Sequence, residues 1–281
     1  MAQTAAITTY RYLRISMVGA VVLLAVSIAI ERSRVDCWQT SVSAYYYTPV
    51  KAIFVGMLMA IGLCLIVIKG STSWEDATLN AAGMLAPIVA VVPTSDVGTC
   101  WSVTPRPLPV NDEGELADWV VANIDNNVTA LIVTGIAGLI VAAVIATIAT
   151  RNMKAIAEIG PVQVRLGLLG AMAFLIGGAV LFAFWGEFDT RAHGLAAVTM
   201  FLFLAIAVGL NAWQRRADPA LRVYFWLYAS IASLMVAAAV VMFPMGSTWD
   251  HMVLVLEATE ITLFAVFWLV QTTEHWDETT A

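Results

Sequence analysis

Charge is scarce in this chain of 281 residues: Asp, Glu, Lys and Arg make up only 12% of it, whereas 60% is hydrophobic. With a mean hydropathy of +0.84, the composition lies far outside that of soluble domains and defines an integral membrane protein. Basic residues are few as well. The 14 Lys and Arg are scattered and the net charge is −6, which excludes nucleic-acid binding, because that depends on neutralising phosphates. Only 3 His and 3 Cys occur, without an HxxxH or HExxH spacing, and no G-x-S-x-G turn is present. No motif therefore implies a cofactor. A cleavable leader is also unsupported. The first apolar run, Leu13 to Ile30, is long and ends in Ser27-Ile-Ala-Ile-Glu-Arg, a poor cleavage site, so it reads as a retained anchor helix.

What the chain has in quantity is apolar runs, at about 12–30, 51–68, 77–93, 128–149, 164–184, 193–213, 221–243 and 250–270. A hydrocarbon core of ~30 Å takes ~20 helical residues, so these predict an all-α, polytopic transmembrane helical bundle forming a single domain over 1–281. The third run is short and holds Gly83, Pro87 and Pro93, which leaves a re-entrant hairpin as its alternative. Charge favours a crossing. With eight spans and both termini cytoplasmic, the inner face holds Arg11, Arg14, Lys69, Arg151, Lys154, Arg165, Arg215, Arg216 and Arg222. The outer face holds Arg32, Arg34, Lys51, Arg106 and Arg191, so the division is nine to five. The expected location is the cell membrane, as a multi-pass protein.

Tryptophans mark the expected boundaries. Trp38, Trp101, Trp119, Trp185 and Trp249 fall at outer ends, and Trp74, Trp213, Trp226, Trp268 and Trp276 near inner ends. In this topology Cys37 and Cys100 share the oxidising side, which allows a disulfide between the first two outer loops, although two unrelated thiols remain the alternative. Cys64 reads as a small buried residue. The long outer loop, about 94–126, contains Pro105-Arg-Pro-Leu-Pro, an extended path. A helix follows, with Asp112 and Glu115 as a capping box and Leu116, Trp119, Val120 and Ile124 on one face, suited to the membrane surface or the bundle's outer mouth.

The chemistry concentrates in a few places. Glu257 and Glu260 stand i,i+3 in the last apolar run. Ionisable groups at such depth face a bundle interior or a wet cavity, so with His193 they form the candidate ligand or proton site. The bland alternative is a protonated Glu bonded to Ser230 or Ser233, and no Lys or Arg is expected deep in a span. Asp36, Ser41, Ser43, Tyr45, Glu187, Asp189, Asp250 and His251 form an expected outer polar rim, in which Tyr45, Tyr46 and Tyr47 read as an interfacial belt. His193 and His251 with nearby carboxylates leave a metal site open, although the spacing fits no ligand motif.

Several stretches together resemble the damage-regulated autophagy modulator/Sfk-type family of membrane proteins, which is usually six-spanning. They are Ser41-Val-Ser-Ala-Tyr with Thr48-Pro-Val-Lys-Ala-Ile-Phe54, His193-Gly-Leu-Ala-Ala, and Glu257 or Glu260 followed by Phe267-Trp-Leu-Val-Gln-Thr-Thr-Glu-His-Trp. That resemblance implies a non-enzymatic protein of lipid organisation, with His193 and the last-span Glu as the residues carried over. Val35-Asp36-Cys37-Trp38 and the serines after it are also faintly similar to the alkaline ceramidase/progestin-receptor membrane hydrolases. The expected function is accordingly binding or organising a lipidic or amphipathic ligand. A proton- or cation-coupled transporter using Glu257 and Glu260 and a metal-dependent membrane hydrolase are the alternatives. Membrane lipids are the expected partners, and glycines such as Gly135, Gly138, Gly167, Gly170, Gly177 and Gly178 leave open a homo-oligomer or another membrane protein. A cysteine fused after Ala281 should resist an impermeant thiol reagent in intact cells; efficient labelling would overturn the cytoplasmic assignment of that terminus.

Overall fold

The computed structural model describes residues 2–100, 108–151, 161–242 and 249–276. Trp101, Arg106 and Lys154, and most of the extended path expected at 105–109, lie outside them. Eight α-helices follow one another: α1 (Ala2–Val35), α2 (Lys51–Val67), α3 (Ser73–Val91), α4 (Asp118–Arg151), α5 (Pro161–Phe184), α6 (Phe188–Arg215), α7 (Arg222–Met242) and α8 (Met252–Glu274). Six of them, α1 and α4–α8, are long and apolar enough to cross a membrane. α2 is apolar but has only 17 residues, and α3 carries Glu75 and Asp76 in its first turn. α3 runs unbroken through Pro87, so residues 77–93 do not form a hairpin.

Helix neighbours define a ring. α1 packs on α2, α2 on α3, α3 on α6, α6 on α7, α7 on α8, and α8 returns to α1. The α4–α5 pair stands outside this ring and joins it through α3. Its outward side chains, among them Val133, Ile140, Ile148, Leu169 and Ile176, are exposed and apolar, as hydrocarbon contact requires. At the tightest contact, a Cβ on Gly83 would stand 2.7 Å from the Gly62 carbonyl oxygen, so α2 and α3 touch backbone to backbone.

The expected outer-loop helix is not separate. Residues 110–116 close as a tight turn, with a bridge between Val110 and Leu116 and the Asn111 side chain accepting the Glu113 and Glu115 N–H groups. Gly114 at φ +82° turns the chain, so Asp112 and Glu115 cap nothing. α4 starts at Asp118, and its buried Val120, Ile124 and Val128 belong to the long helix itself.

At one end of the bundle a polar lock joins four helices. Thr72 caps α3 by accepting the Glu75 N–H. The buried Glu75 carboxylate then accepts from Ser71 N–H at 2.8 Å, Asn211 Nδ2 at 2.8 Å and Gln214 Nε2 at 3.3 Å. Beside it Arg215, buried at the end of α6, pairs through Nε and Nη2 with Glu274 at 2.8 and 3.2 Å, and Tyr228 donates to the same carboxylate at 2.6 Å. Both partners of the ion pair are buried, with side-chain exposures of 6% and 5%. Trp268, expected at the interface, is fully buried nearby. Removing one partner leaves a stranded charge, so Arg215→Met should cost about 3 kcal/mol. Arg215→Met with Glu274→Leu should recover part of it in thermal unfolding of detergent-solubilised protein; equal loss in both variants would contradict this account.

Candidate functional site

The segment between α1 and α2 folds into one end of the ring as a 3-10 turn, Ser43–Tyr47, in which all five residues are buried. Ser41, Ser43 and Tyr45, expected on a solvated rim, are therefore interior, and the tyrosines are not an interfacial belt. A buried loop must satisfy its backbone groups locally. Ser41 Oγ accepts the Ala44 N–H at 2.9 Å, Thr48 Oγ1 donates to Tyr45 O at 2.8 Å, and Tyr47 donates to Thr94 O at 2.7 Å. Burial pushes the Tyr47 hydroxyl above its ordinary range, which keeps it a donor.

Other contacts hold this segment in place. A disulfide joins Cys37 to Cys100. Gln39, buried, accepts the Thr99 and Cys100 N–H groups through its side chain. Its backbone oxygen accepts from His251 Nδ1, and Leu254 N–H at the start of α8 donates to Thr40 O at 2.9 Å. Gly98 sits at φ +74°, and a Cβ there would overlap the Gln39 side chain.

These constraints deliver Ser43 to α8 and α6. Its N–H donates to Glu257 Oε2 at 3.0 Å, and its Oγ lies 2.9 Å from Glu257 Oε1. The same Oγ lies 2.9 Å from His193 Nε2, while His193 Nδ1 is 2.7 Å from Val92 O. A carbonyl only accepts, so Nδ1 carries hydrogen and the ring orientation is fixed. Three residues from distant parts of the chain thus form one hydrogen-bonded row, Glu257–Ser43–His193, closed by the end of α3.

Beside the row lies a small, partly open cavity walled by apolar residues such as Val21, Phe54, Ile61, Met200, Leu204 and Phe264. Its only polar lining comes from Ser43 and Glu257. From Phe54 to Leu65 on α2 the wall is eleven residues long, which at 1.5 Å per residue gives a depth of roughly 16 Å.

Glu260 does not share this site. It is buried, but it is not in the cavity wall, and its Oε2 has no hydrogen-bond partner. The i,i+3 offset turns it off the line of Glu257, and Ser230 and Ser233, considered as its partners, are exposed on α7. The rest of the expected rim is divided: Asp36, Glu187 and Asp250 are exposed, while Asp189 and His251 are half-buried. Glu187 pairs with Arg191 at 3.1 Å. His193 and His251 face different partners, and among the described residues no three His, Cys, Asp or Glu side chains converge as metal ligands.

Ser43 is the residue whose role the sequence left least visible. The signal available was a polar run, Gln39-Thr-Ser-Val-Ser, too long for a simple turn between apolar spans. No family model matches the sequence, and neither a curated protein nor a solved structure matches it.

The disulfide closes a loop of 63 residues. Cys100→Ser should therefore lower stability by about 2–4 kcal/mol. Thermal unfolding should show a reductant-sensitive wild type and a reductant-insensitive variant; equal sensitivity would contradict the role given to this link.

Proposed function

We propose that this protein binds a single-chain amphiphile inside its helical ring, with the chain in the apolar cavity and the polar head at Ser43 and Glu257. One observation carries the reading: the cavity is apolar along its length and polar only at one end, the pattern of an amphiphile-binding site. Its wall is built from α1, α2, α3, α6 and α8, all members of the closed ring. In this reading α4 and α5 are an added hairpin, all eight helices cross the cell membrane, and both termini are cytoplasmic.

A second reading, acyl transfer through Ser43, is favoured by the 2.9 Å spacing of Ser43 Oγ and His193 Nε2. Binding explains more. The N–H groups nearest the serine, its own and that of Ala44, already serve Glu257 and Ser41, which leaves them unavailable to a developing oxyanion.

Lipid mass spectrometry of gently solubilised protein should find a single-chain amphiphile. Ile61→Trp, which fills the cavity, should reduce it at least about tenfold, a change of ~1.4 kcal/mol. An unchanged lipid complement in that variant would overturn the assignment. Covalent labelling of Ser43 by a fluorophosphonate would favour the second reading.

A further inference from the structure

The row Glu257–Ser43–His193 restricts where hydrogens can stand. A serine hydroxyl has one hydrogen, and Ser43 Oγ faces two acceptor-capable atoms, Glu257 Oε1 and His193 Nε2, each at 2.9 Å. If the hydroxyl donates to Nε2, a hydrogen bond to Oε1 requires a protonated carboxyl. If it donates to Oε1, the contact with Nε2 requires a protonated imidazole. In both arrangements Nδ1–H donates to Val92 O, and in both the row is electrically neutral and holds one proton more than an ionised Glu257 beside a neutral His193. The two arrangements interconvert by hops across the serine hydroxyl. A carboxylate beside a neutral imidazole would set lone pairs against each other on one side of Ser43, because its single hydroxyl hydrogen can serve only one of them.

What could replace that proton has to come from the cavity. The lining has no Lys, Arg or His and no titratable side chain except Glu257. Other charges at this end have partners of their own: Lys51 at the start of α2 stands over the Tyr46 ring, and Arg191 on α6 pairs with Glu187. Asp96, after α3, acts on Glu257 only through space, and Glu31 and Arg32 at the end of α1 act on Tyr45. On α8, His251 is bonded to Gln39, and Glu260 stands outside the cavity wall. The α2, α3 and α6 contributions to the wall are apolar. An anionic head would meet a carboxyl with no cation beside it.

We propose that the cavity selects an amphiphile with a primary ammonium head, and that each molecule bound releases the shared proton of the row. The inference rests on the amphiphile-binding reading. The exchange balances: the ammonium head and a protonated Glu257 become an ammonium–carboxylate pair and one free proton. His193 is left neutral, taking the Ser43 hydroxyl hydrogen at Nε2, and the ammonium supplies donors to the carboxylate. Because a proton is released, affinity rises with pH.

The test compares dodecylamine with dodecanol on the full-length protein in nanodiscs, with empty nanodiscs as the baseline. Binding is measured calorimetrically in buffers of different ionisation enthalpy. Dodecylamine should release up to about one proton per molecule and bind up to about tenfold tighter per pH unit over the range in which the row holds its proton and the amine stays charged. Dodecanol should release none and show no pH dependence. Glu257→Gln should keep dodecanol binding and lose both the preference for the amine and the proton release. If neither compound binds, the amphiphile reading itself fails. If dodecanol binds as tightly as the amine, or the amine binds without releasing a proton, the exchange is overturned while the cavity reading stands. The wild-type comparison decides this even if the variant does not fold.

Discussion

A carboxyl group set among apolar helices has to be supplied with hydrogen-bond partners, and in this protein Glu257 obtains them from Ser43. That requirement shapes this end of the molecule. Ser43 can offer both its N–H and its hydroxyl only if the chain between α1 and α2 folds into the ring. The buried loop then needs its own partners, which Ser41, Thr48 and Tyr47 provide. Its path is held by the Cys37–Cys100 link, the Gln39 side chain and the bond from Leu254 to Thr40. His193 completes the row because the last turn of α3 leaves the Val92 carbonyl pointing at its ring.

The polar groups of the interior are sorted by depth. At one end of the bundle Glu75, Asn211, Gln271, Arg215, Tyr228 and Glu274 form a polar network that ties α3, α6, α7 and α8 together. At the other end the polar row lines the cavity. Between them the walls are apolar, and the two clusters differ: in the first the side chains bond mainly to one another, while the second sets a carboxyl and a hydroxyl in the lining of an otherwise apolar cavity. The α4–α5 pair takes no part in either. Apart from Val120, Ile124 and Val128 near the start of α4, which are buried, many of its apolar side chains are exposed, and Gly135 accommodates Leu175 where the two helices meet.

Helix positions were legible because hydrophobic length is a property of contiguous sequence. The runs at 51–68 and 221–243 correspond closely to α2, Lys51–Val67, and α7, Arg222–Met242. Glu257 and His193 were legible as well, since an ionisable residue within an apolar run is conspicuous. What joins them was not. Ser43 lies in a polar segment that reads as a surface loop, and only its long-range contacts, more than a hundred residues away, carry it inside. Glu260 misled for the opposite reason: helical spacing put it near Glu257 in angle, but a cavity wall is set by neighbouring helices, which a single helix cannot reveal. The Arg215–Glu274 pair escaped because both residues sit at helix ends, where charges are ordinarily solvated. Gly114 likewise broke a pattern that periodicity alone extended into a helix.

The central claim is that the space beneath Ser43 and Glu257 holds a hydrocarbon chain in a fixed direction. A crystal structure with a terminally brominated single-chain amine tests it most directly. The account predicts an anomalous bromine peak near Leu65 and Leu204, with the nitrogen within hydrogen-bond distance of Glu257. A peak confined to the outer faces of α4 and α5, or a chain lying with its head away from Glu257, would contradict it.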